Sequence, residues 1–70
     1  MFDEVKDISG NKVKPGDIVA FGHDNGSTLM LGKVYKITAK KVWMNPFIDG
    51  ELREDITSCR DHLRVSKVAL

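Results

Sequence analysis

Short runs of β-branched and aromatic residues alternate along the chain with turn-forming residues, and this pattern predicts an all-β fold. The strand-like runs cover residues 18–21, 29–38 and 42–44. The turn signals that interrupt the chain are Gly10, Pro15-Gly16, Asn25-Gly26, Asn45-Pro46 and Asp49-Gly50. Short strands separated by turns at such close intervals are typical of small β-barrels and sandwiches.

The longest run carries a break in its alternation. Val34 and Ile37 are three positions apart, so an unbroken strand would place them on opposite faces. A bulge near Lys36 is expected to bring both side chains into the core. Gly32 lies in the same run, where the lack of a side chain predicts a bend or a close crossing.

Two further expectations concern the N-terminal segment and the end of the strand at Val42–Met44. Residues 5–13 are expected to form a short N-terminal hairpin around Gly10. The strand at Val42–Met44 is expected to end at Pro46 or to become an edge there, because proline has no N–H to donate to a ladder.

The last twenty residues allow two interpretations. Four apolar residues fall at helical spacing, which would give an amphipathic C-terminal helix: Leu52, Ile56, Cys59 and Leu63. The alternative is a strand at 53–58, a turn at 59–62 and a last strand at 63–68. We favour the strands, because residues 56–59 are poor in strong helix formers and a small barrel needs more strands to close.

The predicted bulge assigns side chains to an outer face. With Val34 and Ile37 inward, Tyr35 points outward, and Trp43 does so between inward neighbours. Exposed aromatic rings are enriched at contact surfaces, and lysines beside them attract acidic partners. The candidate partner-binding residues are Lys33, Tyr35, Lys41, Trp43 and Phe47.

Each of these residues also has a structural interpretation. Trp43 is large enough to close the barrel beneath the N-terminal hairpin or the C-terminal segment. The lysines suit a solvated strand edge, where they deter aggregation. Phe47, expected at a loop tip, either anchors a partner or folds back over the open end of the barrel.

Size and charge exclude several classes of protein. The chain has 70 residues, with 11 Lys and Arg against 10 Asp and Glu, and is expected to be a single domain over residues 1–70. A net charge of +1 is too neutral for a phosphate-binding coat. No run of about 18 apolar residues is present, which excludes a membrane-spanning helix. The acidic N-terminus lacks an apolar signal core, so we expect a cytoplasmic protein.

The reactive residues show no catalytic or metal-binding pattern. Cys59 is the single cysteine, which excludes an internal disulfide and agrees with a reducing compartment. Cys59, His23 and His62 lack the paired spacing of a zinc site. His23 precedes Asp24, but no motif places a nucleophile beside them. We expect a non-enzymatic protein with no catalytic residues, no cofactor and no metal.

Three segments carry a resemblance to a known class. They are Pro15-Gly16-Asp17-Ile18-Val19, Leu31-Gly32-Lys33-Val34-Tyr35-Lys36-Ile37 and Val42-Trp43-Met44. Their order resembles the KOW-type pattern of small SH3-like barrels and is similar to a set of short phage-encoded proteins with that signature. Residues 57–65 resemble the turn and closing strand of those proteins. The resemblance implies an SH3-like barrel of about five strands with a short N-terminal hairpin.

The resemblance also implies a function. The leading hypothesis is a phage accessory protein, made in the infected cell, that binds a host protein of the nucleic-acid machinery. The first alternative is direct RNA or DNA binding by the same face, as in KOW-type domains. The second is a structural role through self-assembly at an open strand edge, with the chain otherwise a monomer or a weak homo-oligomer.

Overall fold

The all-β prediction is confirmed by a computed structural model, which describes residues 3–23 and 28–68. The strands in chain order are β1 (Val5–Lys6), β2 (Lys12–Val13), β3 (Ile18–His23), β4 (Thr28–Thr38), β5 (Lys41–Ile48), β6 (Glu51–Leu52), β7 (Ser58–Asp61) and β8 (Val65–Lys67). Among the described residues the one helical element is a 3-10 turn at His62–Arg64. No helix in this part of the chain is long and apolar enough to cross a membrane.

The sheet is open, whereas the sequence predicted a closed barrel of five strands. Six strands form one antiparallel sheet in the order β6-β5-β4-β3-β8, with β7 also paired to β5. Strand β5 is long enough to take two partners along one edge. Residues 41–44 pair with β7, and residues 47–48 pair with β6.

A side chain spans the opening between β7 and β3, two strands that share no ladder. The Nε of Arg60, in β7, donates to the carbonyl oxygen of Gly22 in β3 over 3.1 Å. The same guanidinium lies 5.2 Å from the ring centroid of Phe21, within cation–π range. Arg60 therefore covers the core at this opening without continuing the sheet.

The core lies on one face of the sheet. Its members are at most 1% exposed, and they are Val13, Val19, Phe21, Val34, Ile37, Val42, Met44 and Val65. The register between β4 and β5 shifts between Val34 and Lys36, so Tyr35 is the extra residue of a bulge. The predicted bulge is confirmed, and it buries both Val34 and Ile37 as expected.

Gly32 marks a close crossing, as the sequence predicted. A Cβ atom at this position would lie 2.7 Å from Cγ of Met44 and 2.9 Å from Cε1 of Phe21. These distances are shorter than van der Waals contact, so glycine allows the side chains of β3 and β5 to meet over β4.

The expectation that the strand ends at Pro46 is wrong, because β5 continues to Ile48. Pro46 lies instead at a gap along one edge of β5, between the residues that pair with β7 and those that pair with β6. The carbonyl of Pro46 accepts from the N–H of Arg53, on the side of β5 where β7 has ended and β6 begins. The N and C=O of a strand residue point to the same side. The N–H that proline lacks would therefore point to this break between β7 and β6. Phe47 consequently lies within a strand, opposite Leu52, and not at a loop tip.

The predicted N-terminal hairpin is confirmed. Strands β1 and β2 pair through Val5 with Val13 and Lys6 with Lys12. Gly10 supports the turn between them with a φ of 84°. Val13 is fully buried, so the hairpin contributes to the core although its strands form a separate sheet.

Asp7 attaches this hairpin to the edge of β8. Its side chain is 2% exposed, and its Oδ2 accepts from the N–H of Lys67 over 2.6 Å. Its Oδ1 accepts from the N–H groups of Ser9 and Asn11. Burial by itself raises the pKa of the carboxyl group, but the hydrogen bonds from Lys67, Asn11 and Ser9 outweigh it and hold the pKa of Asp7 below its usual value.

The C-terminal region is built of strands, and the helical alternative is wrong. The strand expected at 53–58 lies later, at Ser58–Asp61, and the expected turn at 59–62 becomes the 3-10 turn at 62–64. The side chain of Asp61 starts that turn by accepting from the N–H of Leu63 over 3.0 Å. The last strand, at 65–67, lies within the predicted range 63–68.

Strands β3 and β4 remain paired as far as His23 and Thr28. The Asn25-Gly26 turn lies outside the described residues.

Candidate functional site

The solvent side of strands β3, β4 and β5 is the candidate site, and we call it the outer face. The alternation that buries Val34, Val42 and Met44 turns the residues between them away from the core. The outer face is defined by Leu29, Leu31, Lys33, Tyr35, Lys36, Lys41, Trp43 and Phe47. All five residues predicted from the sequence, Lys33, Tyr35, Lys41, Trp43 and Phe47, lie on it.

The aromatic residues at the β4–β5 turn end of this face differ in exposure. Tyr35 is 43% exposed, and Trp43 is half-buried. The bulge places Lys36 opposite Trp43. The Nζ of Lys36 lies 4.5 Å from the centroid of the Trp43 ring and 5.9 Å from that of Tyr35. The structure thus places a cation near both of the rings that the sequence predicted to point outward.

The indole of Trp43 is also held through its nitrogen. Its Nε1 donates to Oγ1 of Thr38 over 2.6 Å. A hydrogen-bonded nitrogen and a cation over the ring fix the orientation of the indole. Within this pair, the Tyr35 ring is the one more open to a partner.

The lysines make this face cationic. Lys33 is exposed opposite Asn45, and Lys41 is exposed opposite Asp61. Neither lysine forms an ion pair with another residue of the described segments 3–23 and 28–68. Asp61 is the one acidic side chain that the register places beside these lysines.

Three of the later basic residues, by contrast, are engaged elsewhere. Arg53 forms an ion pair with Asp55 at 2.9 Å, and Lys67 lies 3.5 Å from Asp17. Arg60 donates to backbone carbonyls. The cationic character of the outer face therefore comes from its own lysines.

The other end of the outer face is apolar, and the sequence analysis did not identify it. Leu29 is 75% exposed and Leu31 is 41% exposed. The signal was available, because the alternation that turns Lys33 and Tyr35 outward also turns Leu29 and Leu31 outward. The prediction followed the aromatic residues and did not extend the pattern to the start of β4.

Phe47 belongs to this apolar end. Gly32 pairs with Pro46, so Leu31 and Phe47 are the next positions on their antiparallel strands. Leu31 also pairs with Ala20, and Phe47 pairs with Leu52. The register thus aligns a row of apolar residues across four strands of the outer face.

The outer face carries two kinds of surface chemistry, apolar and cationic. It combines apolar side chains open to water with ammonium groups, which suits burial against a partner of opposite charge. Within the described residues no group of three or more His, Cys, Asp and Glu side chains is placed to hold a metal ion. Cys59 pairs with Trp43 in register and has a free thiol.

Comparisons with curated proteins and with solved structures found no match. Residues 5–68 match a family model described as a domain of unknown function, DUF7205. That match covers both sheets and every strand of the outer face, and the chain belongs to this family.

Proposed function

We propose that this protein is a non-enzymatic binding module that recognises another protein through its outer face. The observation that carries the proposal is the exposure of Leu29, Leu31 and Tyr35 on a single strand. Apolar side chains that a small domain leaves together in water mark an interaction site, whereas single exposed residues are ordinary. Lys33 and Lys41 on the same face favour a partner with an acidic surface.

The proposal includes a setting and an architecture. By its resemblance to short phage proteins, the chain acts in the cytoplasm of an infected cell on a host protein of the nucleic-acid machinery. Its sheet is an SH3-like barrel left open between its edge strands β7 and β8. The pairing of β8 with β3 and the Arg60 bridge to Gly22 support this description.

Direct nucleic-acid binding is the weaker candidate. A base would stack on an exposed aromatic ring. Of the two rings at the β4–β5 turn end, Tyr35 alone is exposed, because the ammonium group of Lys36 lies over the Trp43 ring at 4.5 Å. The net charge of +1 also provides little general attraction to phosphate.

Affinity capture with matched charge variants tests the proposal. Tagged wild-type protein, Leu31→Glu and Ile8→Glu are each incubated with a bacterial lysate, and retained proteins are identified by mass spectrometry. Ile8 is 64% exposed on the N-terminal hairpin, so Ile8→Glu makes the same chemical change away from the outer face. We expect Ile8→Glu to retain the wild-type partner and Leu31→Glu to lose it, with equal melting temperatures. Retention by all three proteins would contradict the proposal.

Two further measurements separate the alternatives. Fluorescence anisotropy with a short single-stranded RNA and a DNA duplex is recorded at two salt concentrations. Binding that weakens linearly on a log–log plot would favour the nucleic-acid function. Sedimentation over a concentration series tests self-assembly, and we expect a monomer.

A further inference from the structure

We propose that the occupant of the outer face is an amphipathic, acidic α-helix of the partner, lying along β4. This inference rests on the proposed function, and it names the shape and charge of the segment recognised. It follows from which edges of the sheet are closed, from the dimensions of the open face and from the way charge is distributed on it.

The sheet edges leave little room for a partner to bind as an added strand. Strand β4 is paired on both sides, by β3 and β5. At the β8 edge, the carbonyl of Val65 accepts from Ile8, and the N–H of Lys67 donates to Asp7. The protein's own N-terminal hairpin therefore uses the backbone groups that strand addition requires.

The opposite edge is also unsuited to strand addition. Strand β6 has two residues, and the carbonyl of Cys59 in β7 accepts from Arg60 over 2.8 Å. Among the described residues the long continuous surface that remains open is the outer face. Sheet faces are covered in proteins by helices or by other sheets.

The dimensions of the outer face suit one helix. Leu29 and Lys36 are seven positions apart, which corresponds to about 23 Å of strand. A helix of about 15 residues has that length. Its diameter of about 10 Å spans β4 and the strand beside it, since neighbouring strands lie about 4.8 Å apart.

The positions of leucines and lysines on the face indicate which types of residue that helix carries. The start of β4 offers Leu29 and Leu31, and the end of β4 with the start of β5 offers Lys36 and Lys41. A helix presents residues spaced three and four apart on one side. The partner helix therefore carries apolar residues at this spacing over the leucines and Asp or Glu residues over the lysines.

A second copy of this chain is a poorer occupant. Packing two outer faces together would bring lysines near lysines or leucines. Asp61 is the one carboxylate that the described register places on this face to balance them. The face thus favours an acidic partner over itself.

Selection from a random library of 16-residue peptides tests the inference. The library is displayed as mRNA fusions and selected on immobilised wild-type protein. Enriched peptides are then measured against Leu31→Glu, Lys33→Glu and the controls Ile8→Glu and Lys6→Glu. We expect acidic peptides with apolar residues three and four apart, which gain helical circular dichroism on binding. Leu31→Glu and Lys33→Glu should each weaken binding about tenfold or more, a loss of about 1.4 kcal/mol, and the hairpin controls should not.

The outcomes distinguish this inference from the proposed function. Peptides that depend on Leu31 but bind in an extended, non-helical form would overturn the helix and leave the binding face intact. Peptides that bind all variants equally would overturn both. A library that yields no Leu31-dependent peptide would overturn the helix, and the lysate experiment would still decide the proposed function.

Discussion

The inner and outer sides of β4 differ in how far their apolar side chains are exposed to solvent. On the inner side, Val34 and Ile37 are at most 1% exposed. On the outer side, Leu29 and Tyr35 are 75% and 43% exposed. The inner side chains pack among β3, β5, β8 and the N-terminal hairpin, whereas the outer side has no covering layer among the described residues.

Because of this difference, the inner side chains of β4 contribute to stability, whereas the outer side chains are available for recognition. A buried apolar side chain stabilises the fold through the water it excludes and the contacts it makes. An exposed side chain on the same strand contributes little until a partner covers it. Substitutions on the inner side should therefore lower the free energy of unfolding, and substitutions on the outer side should mainly change binding.

A pair of alanine substitutions, one on each side of β4, tests this difference most directly. Ile37→Ala should lower the free energy of unfolding by about 2–5 kcal/mol, because it leaves a cavity in the core. Leu29→Ala should change it by less than about 0.5 kcal/mol. Urea denaturation of both variants provides the measurement, and equal losses would show that the outer side is covered.

Gly32→Ala tests how tightly the inner side is packed. The added Cβ would meet Met44 and Phe21 at less than 3 Å, so the variant should lose about 1–3 kcal/mol of stability. In a Met44→Ala background the clash with Cγ is absent, and the same change should cost less. Strictly additive losses in thermal unfolding would contradict this packing.

Asp7→Asn tests the hairpin attachment that closes the edge beside the core. The pKa of Asp7 is lowered in the folded state, so its stabilisation is present above the unfolded value of about 3.9 and is lost as pH falls through the folded value. Asp7→Asn should lose about 1–2 kcal/mol at pH 7 and depend less on pH below 4. Exposed Asp3→Asn serves as the control. An unchanged pH profile in Asp7→Asn would count against the attachment.

The smallest expected effect concerns Trp43, an outer-face ring that lies beneath the ammonium group of Lys36. Lys36→Ala removes the ammonium group over Trp43 and should increase acrylamide quenching of its fluorescence, with at most about 1 kcal/mol lost. Lys33→Ala, on the same strand but not over the ring, should leave the quenching unchanged. Equal quenching in both variants would indicate that the indole is covered by something other than Lys36.

Local patterns were sufficient for much of the inner face. The spacing of Val34 and Ile37 predicted the bulge, and Gly32 predicted the close crossing, because both follow from the two-residue period of a strand. The hairpin around Gly10 was equally local. These predictions need only the geometry of one strand or one turn.

Other features depended on distant segments. Pro46 is tolerated because two partners of β5 meet beside it, and Arg60 bridges to Gly22, 38 positions away. Residues 58–61 and 65–67 form strands despite the helical spacing of the apolar residues in this region, because β5 and β3 pair with them. None of these partners is visible within a short window of sequence.

The sequence by itself determined that this protein is all-β, with a bulged central strand and a row of lysines and aromatic residues directed away from its core. The tertiary structure alone decided that the sheet stays open, that Lys36 covers Trp43, and that Leu29 and Leu31 meet water. The physical reason is that alternation assigns a residue to a face of its strand, whereas burial depends on which other segments cover that face.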